Sequence, residues 1–269
     1  MEAQKKRIDP HAENDLWESL KDSRVQIPIE KNEKWEINSP PDVPYLKVVC
    51  ISDTHEQLGK CFKEIPDGDV LIHAGDFTNN GNRDELIKFN EQMANLPHKY
   101  KLVVAGNHEL GFDENERKEQ RNPQDVGVGT ERGYELLTNV TYLQNKEIVI
   151  DGVKFYGSSY HPLMGFPFYR TRATELAECW KLVPNDTDVL ITHTPPLGYL
   201  DQFGDERWGC KDLLYVVERI KPRFHVFGHV HERHGTMTNN HTTFINAAQC
   251  SRNNIIQTRP VIFYIPKKL

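Results

Sequence analysis

The stretch Leu46–His55, LKVVCISDTH, runs from a mostly apolar segment straight into an acid and an imidazole. Its hydrophobic residues are consecutive rather than strictly alternating, so Leu46–Ile51 reads as a strand buried on both faces. A single Asp after a strand is ordinarily a turn residue or a helix cap, and this junction alone decides little. The same junction recurs, however. VLIHAGD ends at Asp76, LVVAGNHE carries Asn107, His108 and Glu109, VLITH ends at His193, and FHVFGHVH carries His229 and His231. Strand ends of an α/β sheet gather at one edge, where ligands bind. Carboxylate, imidazole and amide oxygen together suit Mn²⁺, Fe or Zn²⁺. If these segments stay extended, residues two apart point the same way, so Asp53 with His55, and His229 with His231, each present two ligands. The glycines before Asp76, Asn107 and His229 permit sharp turns and close backbone approach.

Outward from these junctions, strands alternate with helical segments. Residues 57–65 predict a short helix, and 82–95 a longer one with Leu86, Phe89, Asn90 and Met93 on one face. Residues 111–135 are polar and read as an insertion or a surface helix. Asp151-Gly152 between two apolar runs is a hairpin signal. Residues 210–220 read as a helix, and 242–245 and 261–265 as further strands. The expected fold is α/β, a two-sheet mixed β sandwich flanked by helices. Residues 46–269 form one domain. Residues 1–45, rich in charge and proline, carry Leu16, Trp17 and Leu20 at helical spacing. They read as an arm packed on the core, the alternative being a disordered leader.

Composition narrows the function classes. The chain has 269 residues, 38% hydrophobic and 27% charged, with net charge −6, so a broad basic face for long nucleic acid is not expected. No apolar run approaches the ~18 residues of a membrane span, and the opening residues lack the apolar stretch of a secretory signal. The expected location is cytoplasmic, with no membrane partner. Five cysteines without a CxxC argue against a disulfide framework or a cysteine zinc site.

The ordered motifs DxH, GDxx, GNHE, a single His and GHxH resemble the signature of the calcineurin-like metallophosphoesterases. VCISDTHEQ, HAGDFTNNG, AGNHELGFD, ITHTPPLGYLD and FGHVHERHG look most like the metallophosphoesterase-domain-containing (MPPED) phosphodiesterase group. The resemblance covers about residues 46–265. It implies a dinuclear centre: Asp53, His55 and His231 on one divalent cation, Asn107, His193 and His229 on the other, and Asp76 between them. Mn²⁺ is the first expectation, with Fe or Zn as alternatives. His108 would be the unligated catalytic histidine, and Asn107 and His108 would meet substrate. The implied reaction is hydrolysis of a small phosphodiester or nucleotide, cyclic nucleotides included, by a hydroxide bridging the two cations. A phosphomonoesterase or nuclease of the same fold, and a nucleotide-binding or interaction scaffold, are the competing readings. A scaffold would be expected to lose ligands, and every ligand position here is filled.

One segment departs from a related pattern. Ser/Thr protein phosphatases carry GDxVDRG, whose Asp partners the catalytic His and whose Arg grips phosphate. Here Asn79 and Asn80 stand in those places, leaving the partner of His108 open. His73 and His225, inside strands, read as buried or supporting groups. His98, His234 and His241 read as surface residues, and Glu109 as the start of a helix. The stretch 161–172 either roofs the pocket, with Phe166 and Phe168 as an apolar surface and Arg170 or Arg172 near phosphate, or packs on the core.

Overall fold

The computed structural model describes residues 11–268; the first ten residues of the N-terminal arm and the last residue lie outside the described residues. Two sheets pack face to face. The five-stranded sheet has the order Val261–Pro266, Tyr45–Ile51, Val70–His73, Tyr100–Val103, Thr141–Tyr142. Its last four strands are parallel, and Val261–Pro266 runs antiparallel along one side. In the seven-stranded sheet, Thr243–Asn246, Phe224–Phe227, Val189–Thr192 and Val153–Ser158 form a parallel centre. Gly235–Thr238 and Lys146–Ile150 flank that centre antiparallel, and Ile27–Pro28 adds an outer edge.

The alternation of side chains along each strand makes three cores. Val48, Cys50 and Ile72 face Phe155, Ile191 and Val226 between the sheets. Val49, Ile51 and Leu71 face outward under the helix Arg83–Ala94, which returns Leu86, Phe89 and Met93. Leu190 and Phe227 face outward under the helix Lys211–Ile220 and Trp180. Helix, sheet, sheet, helix is the resulting order of layers. With both faces covered, the central strands have no solvated side, which is why they read as unbroken apolar runs. Asn82 and Glu85 form a capping box that starts the helix Arg83–Ala94. At the hairpin, Asp151 and Gly152 both take positive φ, as its two-residue turn requires.

Of the two readings of residues 111–135, the surface helix does not form; the segment holds short 3₁₀ turns at Lys118–Gln120, Pro123–Asp125 and Gly133–Leu136, because Gly111, Gly127 and Gly129, all at positive φ, break the helical path. His98 is buried rather than on the surface, and its Nε2 meets the Pro66 carbonyl at 3.0 Å. His241 is exposed, whereas His234 is half-buried with its ring 5.9 Å from that of Trp35. Residues of the helix His11–Leu20 lie on the seven-stranded side, with Trp17 buried against Tyr199. Among the described residues, no helix is long and apolar enough to cross a membrane.

Candidate metal centre

The five junctions meet where the carboxyl ends of both sheets converge. Asp53, His55 and His231 bring one donor atom each within 4.8 Å of one another, as do Asp76, His193 and His229, and as do His55, Asp76 and His108. Asp76 therefore belongs to clusters on both sides of the centre. Its Oδ2 lies 3.2 Å from His193 Nε2 and 3.9 Å from His55 Nε2. Asn107 joins the second group: its Oδ1 lies 3.1 Å from His193 Nε2 and 3.0 Å from His229 Nδ1. On the other side, His231 Nε2 lies 3.1 Å from Asp53 Oδ1 and 3.3 Å from His55 Nε2.

These distances test whether the residues fit metal. Two donors about 2.1 Å from a common cation, at right to tetrahedral angles, stand roughly 3.0–3.4 Å apart. The observed donor pairs of 3.0, 3.1 and 3.3 Å fall on that edge length. The chemistry agrees: carboxylates, imidazoles and an amide oxygen converge in a buried space without a lysine or arginine among them. The donor set fits two divalent cations.

The ligands do not converge in the way extended backbone predicts. Asp53, His55, Asp76 and His229 all sit at positive φ, 51°, 41°, 52° and 71°. Each chain turns sharply at its donor, a strained conformation of the kind that functional sites retain. Glycine is needed beside them for space: a Cβ on Gly228 would collide with the Asp53 carboxylate and Ser52 Oγ, and one on Gly75 would stand 2.6 Å from His193 Nδ1.

Hydrogen bonds set the direction of each ring. His193 Nδ1 donates to the Ala74 carbonyl at 2.9 Å, which leaves Nε2 for the centre. Behind it, Thr192 Oγ1 donates to Thr194 O at 2.7 Å and lies 2.9 Å from His225 Nε2. Thr54 Oγ1 and His73 Nε2 repeat that pair at 2.9 Å in the other sheet. His73 and His225 are thus buried supports, and burial holds each imidazole down to about 3. Burial also opposes a charge on His193, but the Asp76 carboxylate beside it dominates and pushes it up to about 10. Burial likewise works to raise Asp53, yet the hydrogen bond and charge of His231 hold its carboxyl below the usual range.

Glu109 corrects the sequence reading. It starts no helix and is fully buried. Its Oε2 accepts from the backbone of Asp76 at 2.9 Å and of Gly106 at 2.6 Å, and its Oε1 from the Thr78 backbone at 3.0 Å and hydroxyl at 2.9 Å. One carboxylate therefore ties the loop of Asp76 to that of Asn107. Burial and the charge of Asp76 push it up to about 7, against the pull of those donors. Gly111, two residues on, was the signal against a helix start.

The partner of His108 is a backbone atom. Its Nδ1 lies 2.7 Å from the Asn79 carbonyl. The Asn79 side chain points elsewhere, donating to Glu56 at 2.6 Å and accepting from Asn254 at 2.9 Å. In the 161–172 stretch, Phe166 stands 6.1 Å from the His108 ring, whereas Phe168 is buried in the outer core. Phe168 is therefore no open surface. His161 is buried as well, with Nδ1 accepting from the Leu163 backbone at 3.1 Å. Arg170 is held by Asp113 at 2.9 Å and Arg172 by Glu13 at 2.8 Å, so both guanidiniums already have carboxylate partners.

The family model described as "Calcineurin-like phosphoesterase" matches residues 46–233. The chain belongs to the calcineurin-like phosphoesterases. A related protein of Caenorhabditis elegans, UPF0046 protein K07C11.7, is 71% identical over 270 residues, covering 100% of this chain and 92% of that one. Human metallophosphoesterase domain-containing protein 1 is 43% identical over 245 residues, covering 84% of this chain and 74% of that protein. A solved structure of the purple acid phosphatase PPD1 from yellow lupin seeds overlays with a TM-score of 0.48 at 15% identity. The overlay covers 83% of this chain and 48% of that one, about half the plant enzyme's length. As in other calcineurin-like phosphoesterases, the site here is of the binuclear metal-binding type.

Proposed function

We propose that this protein hydrolyses small phosphodiesters, cyclic nucleotides among them, with two divalent cations, Mn²⁺ in the first instance. The observation that carries the reading is the set of donor clusters in which Asp76 joins His55 and His108 on one side and His193 and His229 on the other, with Asp53, His55 and His231 alongside. Asp53, His55 and His231 would hold one cation, Asn107, His193 and His229 the other, and Asp76 would touch both. Two such cations acidify a water nucleophile and neutralise charge on the attacking and leaving oxygens.

The chain's own residues do the rest. Glu109 fixes the backbone of Asp76 and Gly106, so the shared carboxylate and Asn107 keep their spacing. The Asn79 carbonyl accepts a hydrogen bond from His108 Nδ1–H, which leaves Nε2 to hold a proton for a phosphoryl oxygen or the departing alkoxide. With two divalent cations, Asp53, Asp76 and a hydroxide nucleophile, and with Asn107 neutral, the centre would carry about +1. A monoanionic diester then suits the centre better than a dianionic monoester, since Arg170 and Arg172 are already neutralised by Asp113 and Glu13.

Metal-stripped protein reloaded with Mn²⁺ tests this. We expect kcat/KM for bis-p-nitrophenyl phosphate or a 2′,3′-cyclic nucleotide to exceed that for p-nitrophenyl phosphate. Asp76→Ala should lose both the paired metals and hydrolysis, by about 10³-fold or more. A clear preference for p-nitrophenyl phosphate would move the assignment to a phosphomonoesterase. Full metal content with normal turnover in Asp76→Ala would overturn the centre itself.

A further inference from the structure

A small antiparallel hairpin, Gln202–Phe203 with Glu206–Arg207, stands beside the His229 side of the centre. It ends at Trp208, whose ring centroid lies 5.7 Å from that of His229. The indole N–H is already satisfied by Glu206 at 3.1 Å, so the ring offers the site only apolar surface. Phe203 sits 4.9 Å away at 49°. The Arg252 guanidinium carbon lies 3.3 Å from the Phe203 ring centre and 5.5 Å from that of Trp208, held by Glu232 at 2.8 Å. Phe203 and Trp208 are only half-buried, and neither belongs to any of the three core clusters among the described residues. Packing in those cores therefore does not account for the group of Phe203, Trp208 and Arg252, which reaches the centre through Trp208 beside His229.

The hairpin is also held rigidly from beneath. Asp201 is fully buried and accepts from Arg207 Nη1 at 2.6 Å, while its carbonyl accepts from the Trp208 backbone at 2.9 Å. The N-terminal helix braces the return strand: Asn14 Oδ1 accepts from the Arg207 backbone at 2.9 Å, and Asn14 Nδ2 donates to the Asp205 carbonyl at 2.6 Å. Arg207 lies 5.0 Å over the ring of Trp17.

We propose that Phe203, Trp208 and Arg252 form the subsite for the non-leaving organic group of the ester, a nucleobase or aryl ring, and that Asn14 and Trp17 position it. The proposal rests on the phosphodiesterase reading above. A planar ring stacks on aromatic faces, and the adjacent guanidinium favours that stack. Asn14 and Trp17 touch no substrate; they act through the hairpin.

The test keeps the leaving group fixed and varies the spectator group. Wild type should prefer bis-p-nitrophenyl phosphate to methyl p-nitrophenyl phosphate. Trp208→Ala should shrink that preference at least ~5-fold, through KM rather than kcat. Trp208→Phe should restore it in part, and Asn14→Ala should shrink it by less. Calorimetry on the Mn²⁺-loaded protein gives a reading that needs no turnover. Wild type should bind phenylphosphonate more tightly than methylphosphonate, and Trp208→Ala should lose that difference. An unchanged preference in Trp208→Ala by both measurements would overturn the subsite. If neither diester is hydrolysed, the phosphodiesterase reading fails, and the phosphonate pair still decides the subsite.

Discussion

The two sheets serve the centre unequally. The five-stranded sheet brings both carboxylates, the amide and His55, and it braces itself: Glu109 links the loops of Asp76 and Asn107 from within. The seven-stranded sheet brings three imidazoles and leans on its neighbour. His193 is oriented by the Ala74 carbonyl, and the His229 backbone donates to the Asp53 carboxylate at 3.0 Å. The first half therefore carries the carboxylates and their brace, and the second supplies imidazoles set in place by the first. Damage to the two halves should differ in kind as well as degree.

Among variants that keep both metals, the largest effect is expected at His108, on the self-braced side. His108→Ala should lower kcat by ~10²–10⁴-fold while elemental analysis still finds both metals. Loss of metal would mean that His108, which shares a cluster with His55 and Asp76, is a ligand.

Glu109 comes next. Glu109→Ala strands the N–H groups of Asp76, Gly106 and Thr78, and Glu109→Gln replaces one acceptor oxygen with an amide that repels them. Either change should weaken Mn²⁺ binding by about 10–100-fold, the range for groups that orient metal ligands. A metal titration that matches wild type would erase the contrast between the halves.

The smallest effect belongs to His225, behind the seven-stranded ligands. Burial alone holds its imidazole at about 3 in the folded chain, below the ordinary 6.5. The unfolded chain then binds the extra proton first, so this contribution is whole above pH 6.5 and drains as pH falls toward 3. His225→Gln should be less stable at pH 7.5 but lose less on acidification. Urea unfolding at pH 7.5 and 5.0 should show a gap about 2 kcal/mol narrower than in wild type. A gap of wild-type size would show that His225 does not titrate this way.

What the sequence alone determined is local. A mostly apolar run that ends within a residue or two at Asp, Asn or His is a property of neighbouring residues, and it marked five strand ends, the sheets' buried character and the donor types. The Asn82–Glu85 cap and the Asp151-Gly152 turn were legible for the same reason. Tertiary structure decided whatever depends on atoms far apart in the chain. The partner of His108 is a carbonyl 29 residues away, and every residue but proline has the same backbone donor and every residue the same acceptor, so no side-chain code could mark it. Glu109 became a brace because burial placed three backbone N–H groups around it. Phe166 and Phe168, two residues apart in one segment, parted company because one packs under the outer layer and the other stands beside His108. Trp208 reached His229 through a hairpin whose footing is the N-terminal helix, an arrangement fixed by Asn14 across 193 residues of chain.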